Sequence, residues 1–229
     1  MSTGSWAGVR EQIQELATAP GADTVFGFHG HKFLLEDPLT AGELDELEGQ
    51  LGVRLPEDYR EFLTQIGAGG AGPGYGVFPV RRVDGRWRWE GDGADLSDLA
   101  RLSEPFPVQG PDPIELDALQ DECPQEEDFE EDEDFGRAMG EWDAKWEALM
   151  WNPERTVGAI ALCHLGCAYR QWLVVSGPER GRIWSDERAD ERDLEPLLGS
   201  GQEPMTFAHS YRRWLAEASR AVDLLSKVN

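Results

Sequence analysis

The spacing of apolar residues changes twice along this chain, and that change limits the folds open to it. Near the start, Trp6, Val9, Ile13 and Leu16 recur at helical spacing, with Ser5 placed to cap and Pro20-Gly21 to stop the helix. Thr40-Ala41-Gly42-Glu43 has the form of a capping box. It precedes a second stripe, Leu44, Leu47 and Leu51, which Gly52 closes. Pro56 suits the first turn of a third helix with the stripe Tyr59, Phe62, Leu63 and Ile66. Near the end, Phe207, Tyr211, Trp214 and Leu215 open a helix predicted to run to about Leu225. Between these lie strand-like runs at residues 25–35 (a strand or short hairpin), 77–80, 157–162, 169–175 and 182–184. Asp84-Gly85 reads as a tight turn between Val83 and Trp87, and residues 177–181 as a hairpin connection. Helices at both ends with strands between predict an α+β fold rather than alternating βα units. The expected architecture is a single domain over residues 1–229, with a central, largely antiparallel sheet flanked by N-terminal and C-terminal helices. A chain of 229 residues, 40% hydrophobic, has the material for such a core.

Charge is the second constraint. The chain carries 45 acidic against 21 basic residues, a formal net charge of −24. No Lys, Arg or His occurs in residues 102–136, which hold 14 of those acids and leave 31 against the 21 bases elsewhere. This proline-rich stretch lacks strong periodicity and reads as an acidic loop inserted at about residues 104–136. Trp142, Trp146 and Leu149 then predict a short aromatic helix ending before Pro153. So acidic a chain repels nucleic acid and anionic membranes and attracts basic partners. It has no apolar run of bilayer length, no secretory signal in its first ten residues, and an odd count of three cysteines. A cytoplasmic protein with reduced thiols is the expectation.

No motif brings chemistry with it. Gly67-Ala68-Gly69-Gly70-Ala71-Gly72 matches a dinucleotide fingerprint by letter, but a helix precedes it and Pro73-Gly74-Tyr75 follows, where a strand and a helix are required. Cys163, Cys167, His29 and His31 are the right types for zinc, at loose and distant spacing. Around Gly136 the calcium-loop pattern places Phe135 and Trp142 where ligands belong. Ser176 lacks the flanking glycines of a nucleophile elbow. No catalytic residue, metal or cofactor is assigned, and an uncharacterised hydrolase is the remaining enzymatic reading. Trp87 and Trp89 share one side of a strand, with Arg86 and Arg88 on the other. They are either packed in the core or exposed as aromatic anchors for a partner.

The run from Leu44 through Leu51-Gly52-Val53-Arg54-Leu55-Pro56-Glu57-Asp58-Tyr59 to Phe62-Leu63, ending in the glycine turn after Ile66, resembles the N-terminal signature of the SUKH superfamily. Gly166-Cys167, Trp172-Leu173-Val174-Val175, Gly181-Arg182-Ile183-Trp184 and the closing Phe207 to Trp214-Leu215 follow in that family's order. The resemblance implies a sheet flanked by helices and no catalytic residues. Its members include a fungal regulator of cell-wall synthesis and bacterial proteins resembling immunity proteins that neutralise toxins, often nucleases. The expected function is therefore stoichiometric binding of a protein partner, a basic toxin domain. The candidate contact residues are Glu126, Glu127, Asp128, Glu130, Glu131, Asp132, Glu133, Asp134, Trp87 and Trp89. The alternative is a regulatory or scaffold module that binds a cellular protein.

Overall fold

The computed structural model describes residues 6–226. Three helices of the N-terminal part follow the predicted stripes. Helix α1 (Val9–Thr18) buries Val9, Ile13 and Leu16 and starts after Gly8 in the left-handed region; the cap expected at Ser5 lies outside the described residues. The four-residue α2 (Phe28–His31) follows. Helix α3 (Ala41–Leu51) opens with the capping box: Glu43 N donates to Thr40 Oγ1 at 3.2 Å and Thr40 N to Glu43 Oε2 at 2.8 Å. Gly52 at φ 67° closes α3. In α4 (Glu57–Gln65) Pro56 stands just before the first turn.

Residues 25–35 form no strand. Gly27 is left-handed, α2 takes the next four residues, and Lys32 and Phe33 have φ of 48° and 54°. The cause is a close approach of two backbones. A β-carbon on Gly27 would overlap the Gly74 carbonyl, and one on Gly30 would lie 3.0 Å from the Tyr75 carbonyl oxygen. Likewise the strand expected at 77–80 begins only at Val80. Strands β1 (Val80–Val83) and β2 (Arg86–Trp89) form the predicted hairpin, with Asp84 (φ 51°) and Gly85 (φ 78°) both left-handed, as its two-residue turn demands.

The last third supplies the main sheet. Strands β3 (Ala159–Gly166), β4 (Tyr169–Val174), β5 (Ile183–Asp186) and β6 (Glu195–Pro196) pair antiparallel in that order. Consecutive buried residues in β3 and β4 show that both faces of the sheet are covered. Beyond β3, single-residue bridges link Cys163 to Val77, Val77 to Gly70 and Gly70 to Leu35. The glycine-rich segment thus extends the sheet where a full strand would not fit. The closing helix, numbered α7 (Phe207–Ser226), packs against α1 and α4. Rings of α4 and α7 and of Trp6, just before α1, make an aromatic centre: Phe62 lies 5.1 Å from Phe207 and 5.0 Å from Tyr211, and Trp6 lies 5.6 Å from Phe62.

The acidic stretch departs most from expectation. It is a helical hairpin, α5 (Pro113–Asp121) and α6 (Asp132–Met150), and the expected short aromatic helix is the C-terminal half of the 19-residue α6. Leu119, Trp142, Trp146 and Met150 form a second apolar cluster, separate from the main core, and Trp142 Nε1 donates to Leu119 O at 2.7 Å. Acidic residues favour the helix starts here. Asp112 caps α5 by accepting from Ile114 N at 2.9 Å. Asp132, Glu133 and Asp134 occupy the first turn of α6, where the helix dipole stabilises negative charge. The hairpin is tied to the sheet through Arg188, which is buried. Its Nη1 donates to Met150 O at 2.8 Å, its Nη2 pairs with Asp186 at 2.7 Å, and its guanidinium stacks 4.3 Å from the Trp151 ring centre.

Candidate functional site

The eight predicted acids are brought together at one end of the hairpin. Glu126, Glu127 and Asp128 form a single helical turn, Glu130 and Glu131 lead into α6, and Asp132, Glu133 and Asp134 begin it. All eight side chains are exposed. Asp134 pairs with Arg137 at 2.9 Å; the other seven make no ion pair among the described residues. Their field is therefore poorly neutralised from within the protein and reaches solvent.

Trp87 and Trp89 do not belong to that surface, and their reading as exposed anchors is corrected. Both indoles are buried, at 6% and 5% exposure, while Arg86 and Arg88 face out. Trp89 Nε1 donates to Tyr59 Oη at 2.8 Å. Gln50 clasps the Trp87 backbone through two hydrogen bonds of 2.7 Å. The alternation of Arg and Trp gave the two faces of the strand; which face met the core depended on α3 and α4 lying beneath it.

The cysteines and histidines also part company. Cys163 is enclosed in β3, 3.7 Å from Gln171 Oε1, and burial pushes its thiol up to about 12. Cys167 is exposed in the β3–β4 turn. His31 is buried and accepts a 3.0 Å hydrogen bond from Phe33 N at Nδ1, and burial lowers its pKa to about 4. His29 is exposed. Among the described residues no group of three or more His, Cys, Asp or Glu side chains is placed to hold a metal.

A second surface was not predicted. Tyr75 projects from the glycine-rich segment between Phe26, 5.5 Å away, and His164, stacked at 5.7 Å. Beside it runs an open groove of about 820 Å³, with Leu35, Glu36, Val77 and Pro79 among its walls. Glycine backbone positions this ledge. Tyr75 N donates to His164 O at 2.9 Å, and a β-carbon on Gly74 would overlap that same carbonyl. The density of glycine in residues 67–76 was the available signal. Its purpose is close chain packing, with Gly69 against Pro79 and Gly70 against Leu34 and Leu35.

No helix among the described residues is long and apolar enough to cross a membrane. Comparison with curated proteins and with solved structures gave no match. The SMI1 / KNR4 family (SUKH-1) matches residues 38–196, from the residues leading into α3 through β6. The match takes in the capping box, the Leu55-Pro56 step, the glycine-rich segment, the acidic hairpin and the whole main sheet, and with more than half of its length matched the chain belongs to the SMI1 / KNR4 (SUKH-1) family.

Proposed function

We propose that this chain is a cytoplasmic immunity-type protein that binds and neutralises a basic toxin domain without turning anything over. The observation that carries the reading is the exposed acidic end of the α5–α6 hairpin, where seven of the eight acids make no ion pair among the described residues. A nuclease cleft must hold a polyanion and so tends to be basic. A dense array of fixed carboxylates occupies such a cleft in place of substrate, and long-range attraction speeds the encounter. The family membership supports a binding module of this kind. The test is affinity capture from the native host, identification of the retained protein by mass spectrometry, and expression of that protein in a foreign host with and without this chain. Rescue of growth by co-expression supports the reading. Capture of a harmless cellular protein instead overturns it in favour of a regulatory module.

A further inference from the structure

The groove beside Tyr75 combines three properties. First, Leu34 (66% exposed) and Tyr75 (45%) line it and Phe26 (63%) lies against the outer side of the Tyr75 ring, so large apolar side chains are offered to solvent close together. Second, its walls carry four carboxylates, Glu36, Asp37, Glu90 and Asp92, against one guanidinium, Arg81. That guanidinium is already engaged by Glu36 and by Glu90, the latter at 3.1 Å; Glu90 also pairs with Arg88 at 3.1 Å, and exposed Asp92 lies 3.6 Å from His164 Nδ1, so Asp37 and Asp92 are the carboxylates left without a guanidinium and favour an incoming cation. Third, the platform is closely packed. Gly27, Gly30 and Gly74 pack too closely for side chains, and the Tyr75 ring is held between Phe26 and His164. A ledge ordered before binding loses little entropy on binding.

We propose that this groove docks an extended segment of a partner protein, one that presents apolar side chains flanked by Lys or Arg. The inference rests on the binding reading above and gives it a contact surface apart from the acidic hairpin. Leu35 and Val77 each bridge Gly70, so residues 34–37 and 75–79 flank the Gly70 segment as the groove walls, a shape that suits an extended chain. The apolar side chains cover Phe26, Leu34 and Tyr75, and the cations pair with Asp37 and Asp92. Polyanions are repelled by the same carboxylates. A small cation alone leaves the exposed rings uncovered.

The test uses the full chain and a labelled peptide, Lys-Arg-Leu-Phe-Arg-Lys, with Lys-Arg-Ser-Ser-Arg-Lys and Glu-Glu-Leu-Phe-Glu-Glu as controls. Titration followed by amide NMR is expected to shift Leu34, Tyr75, Gly76 and His164, and both controls are expected to bind at least about tenfold more weakly. Tyr75→Ser and, separately, the double change Asp37→Asn with Asp92→Asn should each weaken the first peptide by about tenfold. These side chains are at the surface or line the open groove, so the fold should persist, as unchanged amide shifts in β4 and β5 will show. Equal binding of the serine peptide, shifts confined to the hairpin, or no binding overturns the proposal. The two readings fail separately. If an identified toxin is neutralised as well by the Tyr75→Ser chain as by the parent, the groove assignment falls and the immunity reading stands. If the peptide docks as described but capture yields no toxin, the groove stands and the immunity reading falls.

Discussion

Phe62 and Trp214 both sit on apolar helical stripes, and the sequence assigns both to the core. Phe62 has no exposed surface and touches the rings of Trp6, Phe207 and Tyr211. Trp214 is only half-buried: one side packs on Phe33 and Tyr211, and the other lines an open cavity of about 360 Å³ with Phe26 and Pro73. Phe62→Ala should therefore cost about 3–5 kcal/mol and Trp214→Ala clearly less, as read by urea unfolding of the two variants. Equal losses would place Trp214 in the core after all. A stripe names the face of a helix that turns inward, but only the neighbouring elements decide how far across that face burial extends. His31 gives a pH prediction. Burial lowers its pKa from 6.5 to about 4. The folded state then refuses a proton that the unfolded chain accepts, so this contribution to stability is complete above pH 6.5 and is lost as pH falls from 6.5 towards 4. In His31→Asn, whose Oδ1 can replace Nδ1 as the acceptor for Phe33 N, the loss of stability over that interval should be shallower than in the parent chain. Parallel stability–pH curves would refute the assignment.

The α5–α6 hairpin shows where element-level reading failed. Its apolar residues, Leu116 and Leu119 on one helix and Met139, Trp142, Trp146 and Met150 on the other, keep helical spacing, but they are outnumbered by charges and separated by a turn. Composition argued for a loop; pairing two weak stripes against each other supplied enough apolar contact to form helices. Since this cluster is separate from the main core, it should open on its own. Leu119→Ala should speed amide hydrogen exchange throughout α5 and α6 while β3 and β4 exchange as before. Acceleration in the sheet as well would mean that hairpin and sheet unfold as one unit. Excising residues 111–133, harmless if the stretch were a loop, instead removes α5 and uncovers the indoles of Trp142 and Trp146. By contrast, the turn of the β1–β2 hairpin was legible, because Asp84-Gly85 encodes it locally, although the strand read at 77–80 lies at 80–83.

For the molecule as a whole, the α+β layout was legible because helical and strand-like periods occupy different stretches of chain. The bridges that carry the sheet from Cys163 through Val77 and Gly70 to Leu35 were not, since each is one residue long and joins segments distant in sequence. The Tyr75 ledge depends on those bridges and was hidden with them. The acidic cluster was legible by composition alone, and the structure adds that six of its eight charges are carried on helical turns, with Glu130 and Glu131 in the short link between them. That fixes where the field is strongest and leads to a kinetic prediction. Distant charges raise the rate of encounter and contribute less to the final contacts, whereas packed apolar contacts govern escape. With the partner obtained by capture, changing Glu126, Glu127, Glu130, Glu131 and Glu133 to Gln should slow association and flatten its dependence on salt, leaving dissociation nearly unchanged. Phe26→Ser and Tyr75→Ser should do the reverse, with faster dissociation and the same salt dependence of association. Stopped-flow mixing over a salt series separates the two effects. Faster dissociation in the glutamine variant would mean that those carboxylates make direct contacts in the complex. If neither rate changes, the acidic end of the hairpin keeps the protein soluble and takes no part in binding.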